Sequence, residues 1–523
     1  MKRFVLPAVV AMYTIAVLAA LHAQSGPIQP GLFRRVADVD PRFVSYNVEM
    51  VEVTGGRFSA PYKADPSTTA GGGATPLVAG LDANAFRMRT PLDLGNERLR
   101  RLATALGPAY MRVSGTWANS TYFHDADTPP PATPPEGFGG VLTRAQWRGV
   151  VEFAKATDAA LVTSVAISVG TRDASGAWTP DQLRKLLAYT DTVGGRITAA
   201  EFFNEPNVAV IGGAPKGYDA AAYARDFGVF LPFIRKAAPA LRVLGPGSVG
   251  EGGLLANYPG IKSEAMLAAT GPGVDVFSYH SYNSVSQRCA GAGVTAQQAH
   301  TAEAALSPDW LARTERDARH YIALRDRFEP GKPIWLTETG ETGCGGNPWA
   351  STFTDTFRYV EQLGRVARLG VQVVMHNTLS ASDYALIDED TLEPRPSYWA
   401  AVLWKRLMGT RVLDAGPSPA GVDLFAHCLA GTPGGVALVV VNTERTATLE
   451  LTMPVKGERY TLASSTGLLS HAVQLNGAAL AAGKDGTVPA LRGAASPAGT
   501  LSLSPASITF VALAGADNPG CRP

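Results

Sequence analysis

The sequence predicts an α/β protein, a (β/α)8 TIM barrel followed by a C-terminal β-sandwich domain, and three observations predict it. Eight short apolar segments between Val44 and Met375 alternate with amphipathic helical runs. Strands separated by helices imply a parallel sheet, and eight of them imply a closed barrel. Past about Arg411 helical periodicity gives way to short β-rich runs with Gly, Ser and Pro turns, the pattern of an antiparallel sandwich. Finally, two apolar segments end in a carboxyl. Ala199-Ala200-Glu201-Phe202-Phe203 runs into Asn204-Glu205-Pro206, and Pro333-Ile334-Trp335-Leu336-Thr337 runs into Glu338-Thr339. Strand carboxyl ends form the catalytic rim of such a barrel.

In chain order, Lys2-Arg3, the apolar run Phe4 to Leu21 and the small residue Ala23 read as a signal peptide over residues 1–23, with an uncleaved anchor as the alternative. Pro27 to Pro30 is a linker, and Leu32–Val36 reads as a lone strand. The barrel spans 24–408, with about 28–40 free to pair with the sandwich over 409–523. Its strands are Val44–Met50, Ala109–Ser114, Leu161–Ala166, Ala199–Phe203, Arg242–Gly245, Val274–Tyr279, Ile334–Thr337 and Val371–Met375. Helical periodicity marks Asn96–Leu106, Arg144–Thr157, Pro180–Val193, Tyr218–Ala237, Trp310–Arg327 and Ser351–Arg368. Two Gly/Pro-rich insertions, Thr54–Leu92 and Asp125–Gly140, follow strands and so belong to the catalytic face. In the sandwich, Val436–Val441, Leu449–Met453, Arg459–Ala463 and Ile508–Val511 read as strands.

Composition excludes several classes. The 523-residue chain is 46% hydrophobic, enough to bury a large core. Lys+Arg 46 against Asp+Glu 45 leaves a net charge of +1, no footprint for nucleic acid or a membrane surface. Beyond the leader no stretch is long enough to span a bilayer. Four cysteines suit an exported, secreted or periplasmic protein. Cys428 and Cys521, both C-terminal, are one expected pair; Cys289 and Cys344, each after a barrel strand, are another. The eight histidines are scattered, so no metal or other cofactor is expected. A P-loop, a dinucleotide fingerprint and a Gly-x-Ser-x-Gly elbow are all missing.

Paired carboxyls at two strand ends are what acid/base hydrolysis of a glycosidic bond needs, one to protonate the leaving oxygen and one to attack or activate water. Glu205 and Glu338 are the candidates, with Glu341 a nearby rival for Glu338.

These motifs resemble glycoside hydrolase family 79, the heparanase and exo-β-glucuronidase family of the clan A retaining glycosidases. Asn204-Glu205-Pro206 alone marks only the clan. The specific likeness adds Asp355-Thr356-Phe357, Leu363-Gly364, Gly370-Val371-Gln372-Val373-Val374-Met375, Tyr384, Leu386 and Asp388. It continues through Tyr398-Trp399 and Gly409-Thr410-Arg411-Val412-Leu413, with Pro108-Ala109-Tyr110-Met111-Arg112 in front and Gln474-Leu475-Asn476-Gly477 behind. The resemblance implies a retaining mechanism, with Glu205 as acid/base, Glu338 as nucleophile and the N-terminus contributing to the sandwich. It implies that Asn204 holds the sugar 2-hydroxyl, Tyr282 orients Glu338, His280 lines the same wall and Arg112 keeps Glu338 ionised. A glucuronate carboxylate would lie on Gly345 and Gly346 N–H groups and the Tyr384 hydroxyl, with Glu49 and Thr116 at further sugar positions. Thr337 stands where heparanase has glycine, and Cys344 interrupts the glycine run.

The expected activity is therefore release of terminal β-linked glucuronic acid from an oligosaccharide or glycoconjugate. An endo-acting heparanase- or hyaluronidase-like enzyme is the alternative, disfavoured because Lys63, Arg144, Lys216 and Arg288 stand isolated rather than clustered. A non-catalytic carbohydrate-binding barrel would have lost a carboxyl, and both are present.

Overall fold

The computed structural model describes residues 28–62, 86–289, 301–419 and 421–523, so the expected signal segment and Lys63 lie outside the described residues. Eight parallel strands close into a barrel. They are β1 (Val44–Glu49), β2 (Ala109–Ser114), β3 (Ala159–Ser164), β4 (Ile197–Glu201), β5 (Arg242–Val249), β6 (Val276–Tyr282), β7 (Ile334–Gly340) and β8 (Val371–His376). β8 pairs back onto β1, Val374 opposite Val44 and His376 opposite Tyr46. Both faces of the strands are covered, which is why they read as continuous apolar runs rather than alternating ones.

The expected helices form Glu97–Ala105, Arg144–Ala156, Asp181–Thr192, Ala220–Ala237, Pro308–Phe328 and Phe353–Arg368; Ser263–Thr270 and Pro396–Leu407 complete the ring. Their starts are written locally. Asn96, Asp219 and Ser307 side chains accept the first free N–H groups, and Thr143 with Gln146 makes a reciprocal capping box.

Inside the barrel, Tyr110, Val162, Ala199, Leu244, Val276, Trp335 and Val373 pack as an apolar floor. Strand alternation then places Arg112 two residues above Tyr110 and Glu201 two above Ala199, a charged layer resting on the floor. β7 departs from alternation. Its register against β6 shifts so that Tyr279 faces Leu336 and His280 faces Glu338, leaving Thr337 as the extra residue. This bulge turns both Thr337 and Glu338 inward.

The strand expected near Leu32–Val36 forms at Arg34–Asp38 and is not alone: it pairs antiparallel with Met408–Asp414. It edges a nine-stranded sheet that continues through Val422–Leu429, Val436–Asn442, Ser507–Leu513 and Gly457–Ala463. Along Val436–Asn442, Ala437, Val439 and Val441 face the barrel, while Val436, Leu438 and Val440 face away. The outer face is covered by a two-stranded ribbon, Leu449–Met453 with Gly499–Leu503, which is the sandwich's second layer. Between sheet and barrel lies Phe353–Arg368, almost wholly buried; a Cβ on Gly364 would fall 2.3 Å from the Phe425 ring, so glycine sets the approach. Cys428–Cys521 ties a sheet strand to the C-terminal turn, and Cys289–Cys344 joins the loops after β6 and β7.

Candidate active site

Glu205 follows β4 across a bend at Phe202 and Phe203, whose buried rings anchor it. Its backbone takes the left-handed region, φ 51°, before Pro206 opens a short 3-10 turn. Asn119 fastens the bend by accepting the Asn204 N–H at 2.9 Å and donating to the Asn204 carbonyl at 2.9 Å.

Arg112 is the hub, its side chain 1% exposed. Nε and Nη2 donate to one Glu201 oxygen at 3.0 and 2.8 Å, Nη1 donates to Glu338 Oε2 at 2.7 Å, and Nη2 donates to Asn204 Oδ1 at 2.7 Å. Glu201 also accepts the Thr337 hydroxyl at 2.7 Å. Burial works to raise the Glu201 pKa, but the Arg112 charge, then His280 and the Thr337 hydroxyl, outweigh it and hold the carboxyl well below the usual range. Glu338 accepts the Tyr282 hydroxyl at 2.7 Å on its other oxygen. Both of its oxygens are thus held, one by a cation and one by a phenol.

Glu205 is treated differently. Its side chain is 15% exposed, and among the described residues no guanidinium bonds it, only His280 Nδ1 at 3.1 Å. Burial raises its pKa, the His280 hydrogen bond opposes that, and the Glu338 charge raises it further; the net direction is up. His280 faces three carboxylates, with Glu201 at 3.7 Å and Glu338 at 3.8 Å besides Glu205. Burial lowers its pKa, but the Glu338 charge and the Glu201 and Glu205 hydrogen bonds carry it to about 9. The two candidate carboxyls therefore sit in opposed environments.

One ligating atom each of Glu205, His280 and Glu338 lies within 4.8 Å of the others, a grouping with metal-ligand geometry. The donor set does not favour a cation, because Arg112 already places its charge 2.7 Å from Glu338 and 3.3 Å from His280 Nε2.

On the opposite wall Glu49, at the end of β1, is buried, with one oxygen accepting Asn377 Nδ2 at 2.9 Å and the other without a partner among the described residues. Burial, then the Glu338 charge, pushes its pKa well up. Gly115 makes room for it: at φ +88° a Cβ there would lie 1.5 Å from Glu49 Oε2. Thr116 opens the 3-10 turn just after Gly115. Asn377 Nδ2 also reaches the Tyr282 and Tyr384 hydroxyls, at 3.1 and 3.2 Å, so one amide joins three expected site residues.

Gly345 and Gly346 both take φ 84° and are buried; a Cβ on Gly345 would meet Ser59 at 2.5 Å, and one on Gly346 would meet the Tyr384 backbone N at 3.1 Å. Among the described residues neither N–H has a hydrogen-bond acceptor. Behind them Arg288 donates to Asp383 at 2.6 Å and to the Gly346 carbonyl at 3.2 Å, with its guanidinium 4.0 Å over the Tyr62 ring. Glu341, the rival carboxyl, points elsewhere. It accepts Thr342 Oγ1 and the Asn347 backbone and side chain, tying its own loop, and burial raises its pKa to about 7. Glu201, Asn119, Asn377 and the Arg288–Asp383 pair were not singled out from sequence.

Known proteins resemble this chain in sequence and in fold. The family model described as glycosyl hydrolase family 79, N-terminal domain, matches residues 88–364. Heparanase of Mus musculus is 28% identical over 492 residues, covering 82% of this chain and 88% of the relative. Heparanase-like protein 1 of Arabidopsis thaliana is 26% identical over 486 residues, covering 82% and 86%. Among solved structures, a 4-O-α-L-rhamnosyl-β-D-glucuronidase from Fusarium oxysporum 12S superposes with TM-score 0.61 at 13% identity, over 92% of this chain and 97% of that one, a likeness of fold.

Proposed function

The chain belongs to glycosyl hydrolase family 79, and we propose that within it the protein is a retaining exo-β-glucuronidase that releases terminal β-linked glucuronic acid. The observation that carries the mechanism is the separation of the two carboxyls. An oxygen of Glu205 and an oxygen of Glu338 lie within 4.8 Å. That is in keeping with the roughly 5–5.5 Å between the carboxyls of retaining enzymes rather than the roughly 6.5–9.5 Å of inverting ones.

In this reading Glu338 attacks the anomeric carbon while Glu205 gives its proton to the leaving oxygen. Glu205 then takes a proton from the water that cleaves the glycosyl–enzyme bond. Arg112 supports the ionised nucleophile and Tyr282 fixes its free lone pair; the raised pKa of Glu205 supports the acid role. Asn204, oriented by Arg112, faces the 2-hydroxyl, and the unpartnered Glu49 oxygen offers an acceptor to another. Gly345 and Gly346 N–H groups with the Tyr384 hydroxyl are the site assigned to the uronate carboxylate, backbone donors on positive-φ glycines being suited to an anion. Thr116 supplies an outer sugar contact. No metal takes part. Two disulfides support export to an oxidising compartment. No helix among the described residues is long and apolar enough to cross a membrane.

The test is hydrolysis of paired 4-nitrophenyl β-D-glucuronide and β-D-glucoside, followed by proton NMR. Release from the glucuronide with β-glucuronic acid as the first product is expected. The α anomer first would overturn retention, and release from the glucoside alone would overturn the uronate pocket. The relatives named heparanase keep the endo alternative in view; shortening of a uronate polymer without release from the small glucuronide would establish it instead.

A further inference from the structure

We propose that Glu201 is a positioning residue for the reaction: it is the counter-ion of Arg112 throughout both half-reactions, so that the charge exchanged between Glu338 and Glu205 moves over a neutral ion pair. The inference rests on the roles given above to those two carboxyls.

Arg112 is shared unequally. Two of its nitrogens, Nε and Nη2, donate to Glu201 at 3.0 and 2.8 Å, whereas Nη1 alone reaches Glu338, at 2.7 Å. Its main partner is therefore the carboxyl that takes no part in bond making. That carboxyl is fully buried and has a place built for it. Thr337, turned inward by the β7 bulge, donates to its other oxygen at 2.7 Å. On β5, Gly247 leaves it room, since at φ +74° a Cβ there would lie 3.1 Å from the Glu201 carboxyl carbon.

Burial opposes the ionisation of Glu201, but the Arg112 charge and then His280 outweigh it, so this carboxyl stays charged where others titrate. Tyr223, which also feels its charge, stays neutral, its pKa raised by burial and then by Glu201. His280 Nε2 stands 3.7 Å from Glu201 and 3.3 Å from Arg112 Nη2, close to both charges. A buried ion pair is weak grounds for stability, because apolar residues fill such a space at less cost, and the floor beneath it is apolar.

The reaction supplies a reason for the pair. Glycosylation forms the bond from Glu338 to the anomeric carbon, breaks the bond from that carbon to the leaving oxygen and passes the Glu205 proton to that oxygen. One negative charge leaves Glu338 and one appears on Glu205; hydrolysis of the intermediate returns both. An uncompensated guanidinium 2.7 Å from Glu338 would hold the nucleophile's charge in place before attack and repel the positive charge that develops on the sugar ring. Glu201 cancels that charge at its source. Because it never reacts, it does so in every state.

The experiment compares the parent with Glu201→Gln, with Glu201→Asp, and with Arg112→Gln combined with Glu201→Gln. Gln keeps the shape and loses the charge, Asp keeps the charge, and the double change leaves no lone buried charge. Two inhibitors are measured: a glucuronate-configured piperidine, whose ring nitrogen is cationic, and the matching lactam, whose ring is uncharged. In Glu201→Gln, kcat/KM for 4-nitrophenyl β-D-glucuronide should fall by about hundredfold, and the piperidine Ki should rise about tenfold more than the lactam Ki. In Glu201→Asp and in the double variant the piperidine-to-lactam ratio should stay within about threefold of the parent. A merely structural Glu201 would weaken both inhibitors alike, so an unchanged ratio in Glu201→Gln overturns the inference, as does a ratio lost in Glu201→Asp. Should Glu201→Gln fail to fold, the double variant decides, and loss of the piperidine preference there overturns the inference. A parent that releases nothing from the glucuronide would overturn the underlying reading as well.

Discussion

Removing His280 is expected to move the alkaline limb of the pH–rate profile upward, and the structure sets both sign and size. Glu205 acts as an acid only while protonated, so kcat/KM falls as pH rises through its pKa. Burial raises that pKa, the His280 hydrogen bond and charge lower it, and Glu338 raises it. His280→Phe deletes the two His280 contributions, so the limb shifts to higher pH. A full charge 3.1 Å away would be worth about 5 kcal/mol at an effective dielectric of about 20. Glu205 is partly open to the cleft, where solvent screens the charge, so the realised shift is set at about 1–2 pH units, or about 1.4–2.7 kcal/mol. His280→Gln separates the parts: it can still donate a hydrogen bond but carries no charge, and should give an intermediate shift. The assay is kcat/KM for an aryl β-D-glucuronide across the pH range, with circular dichroism confirming the fold. A limb that stays or moves down in His280→Phe would refute the reasoning. A limb that vanishes would assign the titration to His280 itself.

Four further outcomes are expected. Gly115→Ala forces a methyl onto the Glu49 carboxylate and keeps φ at +88°; it should lower stability by about 1–3 kcal/mol in denaturant melts and raise KM. Tyr384→Phe should lower the glucuronide-to-glucoside ratio of kcat/KM by at least about tenfold, the worth of one hydrogen bond to a charged group, while the chromogenic glucoside rate changes little. Replacing Cys289 and Cys344 by Ser should raise KM for the glucuronide several-fold, because the bond anchors the Gly345–Gly346 loop. The same change at Cys428 and Cys521 should cost about 2–4 kcal/mol of stability, read as Tm, with kcat/KM preserved.

What could be read without a structure was whatever a local pattern encodes. All eight barrel segments were visible because parallel strands buried on both faces write unbroken apolar runs. Their ends were not: Phe202 and Phe203 extended the apparent fourth strand although they lie in the bend beyond Glu201, since burial looks the same in a strand and in a packed bend. Val422–Leu429 went unnoticed for the converse reason. Asp423 and His427 interrupt its apolar pattern, and His427 is accommodated only because its ring bonds the Gly409 carbonyl of the adjacent segment. Glu205 and Glu338 are legible from motif and position, whereas Glu201 sits inside an apolar run that hides it. Its meaning comes from Arg112 on another strand, brought to 2.8 Å by barrel closure. Asn377 is similar, its amide defined by Glu49, Tyr282 and Tyr384 from three other loops and strand ends. Thr337 shows the limit most clearly. From sequence it is a departure from the heparanase pattern; in the barrel the β7 bulge turns its hydroxyl onto Glu201 beside the inward-turned Glu338. A glycine there would leave that Glu201 oxygen without its hydroxyl donor, so the departure adds a hydrogen bond to the ion pair that positions Arg112. The charge balance beneath the two carboxyls is thus distributed over strands β2, β4, β6 and β7, and only the closed sheet assembles it.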